Sequence, residues 1–125
     1  MKLRFTVPLL VLAMTSSMAA ELPAASRAEI DALLNRLGSS GCQFNRNGSW
    51  YSSTEAKAHL ASKLDYLIDK KKVAGTEQFI ALAASTSSMS GKDYLVKCGT
   101  AQAVPSSAWL KGELQTIRAK QASVK

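Results

Sequence analysis

His59 is the only histidine in the chain, so any imidazole chemistry must pass through it. At roughly 100° per residue, Glu55, His59, Lys63 and Tyr66 fall on one flank of a helix, beside a face of Leu60, Leu64 and Leu67. A carboxylate one turn before an imidazole can orient the ring, leaving the other ring nitrogen to act as a general base. On that basis Glu55, His59 and Tyr66 would serve a small envelope enzyme. The plainer alternative is a boundary histidine, hydrogen-bonded at the rim of the core.

Other catalytic patterns fail on their spacing. A Ser-x-x-Lys motif ending at Lys92 needs serine at position 89, where Met89 stands, and no Gly-x-Ser-x-Gly elbow occurs. The seven glycines are scattered, with no phosphate-binding loop. Asp65 and Asp69 fall on the solvent side of their helix, and nothing singles out a carboxylate pair. Two distant cysteines and one histidine do not make a zinc set. No catalytic residue, metal or cofactor is therefore assigned, and a non-enzymatic binding or interaction module is the first expectation.

The binding candidates are Asn45, Arg46, Trp50, His59, Tyr66 and Trp109. Tryptophan and arginine are over-represented where interfaces carry their energy, so an exposed Trp50 beside Asn45 and Arg46 would suit a protein or glycan surface. Alternatively, the last helix covers that face and sets Trp109 near Trp50. Lys70-Lys71-Lys72 is either a solvated helix end or an attractor of anionic envelope polymers or head groups.

These residues need a scaffold, and local signals supply one. Asn47-Gly48 between short apolar-bearing runs marks a type I′ hairpin, because that turn needs positive φ at both central residues. A two-residue turn pairs Arg46 with Ser49, Asn45 with Trp50 and Phe44 with Tyr51, placing Cys42, Phe44 and Tyr51 on one face. Residues 93–98 alternate as a further strand. Ser26–Glu29 reads as a capping box before Ile30, Leu33, Leu34 and Leu37, with Gly38 as a left-handed stop. Ser52–Glu55 reads as a second capping box. Thr76 is read as the cap of a shorter helix, and residues 85–91 form a hydroxyl-rich solvated connector. Pro105-Ser106-Ser107 announces a last helix with Leu110, Leu114 and Ile117 on its face and Trp109 at its edge, ending in a frayed tail from residue 121. The expected fold is α+β, with about four helices around a small antiparallel sheet made from the hairpin at 42–51 and the strand at 93–98.

The N-terminus sets the expected compartment. Lys2 and Arg4, a short apolar run, then Ser17 and Ala19 form the order of a secretory signal peptide. Its apolar run falls short of the ~20 residues that span a bilayer. Residues 1–19 are expected to be removed, with Ala20 as the close alternative cleavage point, leaving one small domain over residues 20–125. The chain carries 16 basic and 9 acidic residues. Export makes nucleic acid a poor partner for this positive excess; an envelope protein or anionic envelope polymer suits it better. No later segment is apolar enough for stable membrane insertion. In an oxidising periplasm the two cysteines, Cys42 and Cys98, are expected to pair, the alternative being two free buried thiols.

The chain resembles the YfeK-like group of small exported bacterial proteins. The resemblance rests on Ser40-Gly41-Cys42 with Phe44, Arg46-Asn47-Gly48, Trp50-Tyr51, Ala58-His59-Leu60 with Lys63 and Tyr66, Phe79-Ile80, Tyr94, Val96, Cys98-Gly99 and Trp109-Leu110. It covers nearly all of residues 20–125. It implies export and a paired cysteine, and it carries no activity, cofactor or catalytic residue. N-terminal sequencing of exported protein should find residue 20 or 21; an intact Met1 in the membrane fraction would refute the signal peptide.

Overall fold

The computed structural model describes residues 2–4, 6–10 and 21–123. The cleavage point at Ala19 or Ala20 lies outside them. Four helices and a four-stranded sheet follow in the order α1 (Ala24–Ser39), β1 (Gln43–Arg46), β2 (Ser49–Tyr51), α2 (Ser53–Asp69), α3 (Thr76–Ala83), β3 (Leu95–Lys97), β4 (Val104–Pro105) and α4 (Ser106–Ser123). The sheet is antiparallel, in the order β2-β1-β3-β4. The α+β fold and the hairpin register agree with expectation. No described helix is long and apolar enough to cross a membrane.

The hairpin forms for the reason its sequence gives. Asn47 and Gly48 have φ of 54° and 84°, the positive values a type I′ turn requires. Phe44 stands opposite Tyr51, Asn45 opposite Trp50, and Arg46 opposite Ser49. On the other side of β1, Phe44 pairs with Val96 and Gln43 with Lys97. One step beyond that ladder, Cys42 meets Cys98 in a disulfide with a Cα–Cα distance of 4.3 Å. The bond therefore closes the end of the β1–β3 pair.

Helix α1 lies against α2 and α4, and its Ile30, Leu33, Leu34 and Leu37 are buried. They share one core with Leu60, Leu64, Phe79, Ile80, Leu110 and Leu114, and with Phe44, Tyr94 and Val96 from the sheet side. Arg118 of α4 binds Glu29 of α1 at 2.8 Å and Glu77 of α3 at 2.6 Å. It holds both carboxyls below the usual carboxylate range.

Several local expectations need correction. The box at Ser26 and Glu29 does not form. Pro23 precedes the helix at φ −59°, and Ala24 and Ala25 extend α1 upstream, so Ser26 lies inside its first turn. The Glu29 carboxylate goes to Arg118 instead. Gly38 is not the left-handed stop: α1 runs to Ser39, and the positive φ falls at Gly41, at 69°. Gly38 matters for space, because a Cβ there would lie 2.7 Å from Lys57 Cδ on α2. Strand β3 covers only the middle of the expected 93–98 segment. Pro105 lies in β4, an edge strand where its missing N–H is tolerated. Residues 121–123 continue α4. The connector at 85–91 is built rather than merely solvated. Ser87 is buried, its hydroxyl accepts from the Met89 and Ser90 amides, and Ser90 donates to the Asn47 side chain in the hairpin turn. Thr76 is not the cap of α3 but its first residue, buried, with Gly75 in the cap position. The box at Ser52 and Glu55 does form.

The disulfide joins residues 56 apart, a loop for which chain entropy gives about 4 kcal/mol. Reduction with an otherwise unchanged sequence should lower unfolding free energy by about 2–5 kcal/mol in denaturant titration. No change in the midpoint would show that the β1–β3 pair holds without its clamp.

Candidate functional site

Tyr94 stands just before β3, its ring buried against Phe44 with centroids 5.1 Å apart. Alternation along the strand turns it inward with Val96, and the length of the ring carries its hydroxyl to α2. There Lys63 Nζ donates to it at 3.0 Å and His59 Nε2 lies 3.4 Å away. His59 and Lys63 are one helical turn apart, so both reach the same hydroxyl. From β1, Arg46 approaches from the other side. Its Nη1 lies 2.5 Å from His59 Nδ1 and 3.0 Å from Nε2, and its guanidinium carbon stands 4.8 Å from the centre of the Tyr51 ring.

The charges decide the state of the imidazole. Arginine can only donate, so a hydrogen bond from Arg46 requires an accepting ring nitrogen, which imidazolium lacks. Burial disfavours the charged ring first, and Arg46 and Lys63 add repulsion, pushing the pKa down from 6.5 to about 4. His59 is thus neutral at pH 7. So weak a base, with the guanidinium against its nitrogens, is poorly suited to taking protons near neutrality.

The expected catalytic set is not assembled. Glu55 does not bond to His59; its Oε1 accepts from the Ser52 amide and hydroxyl, closing the capping box. Tyr66 is 56% exposed and lines the groove between α2 and α3 that His59 also reaches, without a hydrogen bond to the imidazole. Among the binding candidates, Arg46 touches His59 directly and Tyr66 shares a groove with His59. Asn45 serves the turn, accepting from the Gly48 amide. Trp50 remains 43% exposed on edge strand β2. Trp109 packs partly buried against the core and lines a cleft beside the disulfide with Arg36 and Glu113. The last helix therefore does not cover Trp50. Lys70 and Lys71 end α2 in the open, with Lys71 in a left-handed conformation.

Around the Arg46–His59–Tyr94 contact lies a cleft of about 260 Å³, walled by the hairpin, α2 and Ser87–Met89. A groove of about 360 Å³ between α2 and α3 adjoins it, sharing His59 and Ser88. Neither Arg46 nor Lys63 forms an ion pair among the described residues. Nor do the described residues contain a cluster of metal-ligating side chains. The sequence signal for Tyr94 was indirect: an inward tyrosine needs a partner for its hydroxyl. Nothing local indicated that His59 and Lys63 would supply it, or that Ser87 and Ser88 would wall the cleft.

Residues 24–118 match a family of unknown function, DUF5329, and the chain belongs to that family. No curated protein and no solved structure matches it.

An NMR titration of the His59 ring should give an apparent pKa near 4, and Arg46→Gln should raise it toward 6.5. The unfolded imidazole binds protons more readily than the folded one, so stability is full above pH 6.5 and falls as pH drops toward 4. Titration near 6.5 in the folded protein would contradict the described contact.

Proposed function

We propose that this member of the family is an exported, non-enzymatic binding module of the bacterial cell envelope, with an oxyanion site between β1, α2 and the 85–92 loop. The carrying observation is two cations, Arg46 and Lys63, gathered about one neutral imidazole and one buried tyrosine hydroxyl, neither of them in an ion pair among the described residues. Glu55 shares a small hollow with Arg46 and His59, but its Oε1 is bonded to Ser52. Half-buried charges of one sign are costly unless something pairs them. A carboxylate or phosphate supplied by a ligand would do so. Arg46 offers a planar pair of donors, Lys63 a point charge, and Tyr94 a hydroxyl that accepts from Lys63 and still has its own proton to donate. Ser87 and Ser88 stand opposite.

Export is supported by the disulfide and by the order of residues at the N-terminus. It also accords with the YfeK-like resemblance. An envelope protein presenting a carboxylate, or an anionic envelope polymer, has the required chemistry. Asn45 and exposed Trp50 lie along the hairpin that bears Arg46 and extend the surface available to such a partner. The rival enzyme built on Glu55, His59 and Tyr66 gains no support from this geometry.

Titration of the isotopically labelled protein with inorganic phosphate or acetate should move the His59, Lys63 and Tyr94 resonances in a saturable way. Arg46→Gln and Lys63→Gln should each weaken binding by roughly tenfold, the scale of one charge-assisted hydrogen bond. An unresponsive cleft, or shifts that survive both substitutions, would overturn the proposal.

A further inference from the structure

The apolar surface of the molecule is unevenly placed. Among residues 21–123, the exposed large hydrophobic residues are Trp50, Tyr66, Leu82, Met89 and Val104. Three of these five border the cationic site. Tyr66 and Leu82, with Leu67, line the groove between α2 and α3, and Met89 lines the adjoining cleft. Lys63 stands in the groove, while Arg46 stands in the cleft. His59 and Ser88 belong to both, so the two hollows meet at the neutral imidazole.

We infer that the site receives a single-chain amphiphilic anion. Its oxyanion head would lie at Arg46, Lys63 and the Tyr94 hydroxyl, and its hydrocarbon body in the Tyr66–Leu67–Leu82 groove. This inference rests on the oxyanion site proposed above and adds the body that the anion carries. The positive end of the groove selects the charge of the head. Its apolar length rewards a tail that a bare phosphate or acetate lacks. A volume of about 360 Å³ is near the lower limit of ~300 Å³ for small-molecule sites, which suits a chain of medium length. A groove and a cleft that meet at His59 and Ser88 fit a monomer with its head in the cleft and its tail in the groove, rather than the flat face of a bilayer.

The probes are n-octyl phosphate below its micellar concentration, inorganic phosphate, n-octanol, octyltrimethylammonium and vesicles containing phosphatidylglycerol. The full chain is expressed and recovered after its natural processing, and affinities are measured by calorimetry. Octyl phosphate should bind roughly a hundredfold more tightly than inorganic phosphate, since several methylenes leave water. The ammonium amphiphile should not bind. Leu82→Asp replaces a half-exposed side chain, so the fold should survive, as checked by circular dichroism. It should remove the advantage of octyl phosphate over inorganic phosphate. Arg46→Gln should remove the preference for octyl phosphate over octanol.

Equal affinity for the two phosphates would overturn the amphiphile while leaving the oxyanion site standing. Failure of both to bind would overturn both proposals. Tight octyl phosphate binding indifferent to Leu82→Asp would place the chain elsewhere and refute the groove. Vesicle binding without binding of monomeric octyl phosphate would mean a membrane surface, and would refute the inference too.

Discussion

The antiparallel pairing of β1 with β3 is the constraint on which the rest depends. It joins segments separated by two helices, so its closure must overcome the entropy of a long loop before any contact across it is made. The Cys42–Cys98 bond holds the end of that ladder. With Phe44 against Val96 in register, Tyr94 comes beside Phe44 and extends toward α2, while Arg46 emerges at the far end of β1. A slip of one residue would turn Phe44 and Val96 outward and carry Arg46 away from His59. The register of one short ladder thus sets both the sheet side of the core and the geometry of the cleft.

The helices supply the other half. Arg46 and Lys63 come from different elements, and only the seating of α2 against the sheet brings them to a common neighbour. Leu60 and Leu64 fix that seating by their burial, and each lies next in sequence to a polar residue of the site, His59 at the meeting of cleft and groove or Lys63 in the groove. Like charges held close would ordinarily drift apart on long side chains. Here each has a local anchor: Arg46 rests over the Tyr51 ring, and Lys63 bonds to the Tyr94 hydroxyl while lying 4.9 Å from the centre of that ring. The aromatic faces partly offset the repulsion, and neutral His59 separates the two cations without adding a third.

What was legible in the sequence was what is decided locally. Asn47-Gly48 fixed its turn because few residues tolerate two successive positive φ values, and Ser52 with Glu55 fixed a helix start because both partners of the box lie within one turn. The cysteine pair was legible by elimination. Local signals failed where a distant group competed. Ser26 and Glu29 had the spacing of a box, but Arg118, 89 residues from Glu29, claims the carboxylate. Gly38 looked like a stop, yet what it accommodates is a lysine stem on another helix. Strand β4 is two residues long and contains proline, below any periodic signal. The cleft was half legible: Arg46 and His59 stood out by type, whereas Tyr94 and the Ser87–Met89 wall acquire their roles only through contacts made in space.

The disulfide also divides the chain into a covalent ring, residues 42–98, and two linear arms. Every residue lining the cleft and its apolar groove, from Arg46 through His59, Lys63 and Leu82 to Tyr94, lies within the ring. Helices α1 and α4, which complete the core, are the arms. A single proteolytic cut in the exposed stretch between α2 and α3, or in the 85–92 loop, would leave both fragments joined through sulfur, with all the lining residues still on one molecule. A cut in either arm would instead release core-forming chain. Resistance to nicking is therefore concentrated on the part of the molecule that would hold a ligand.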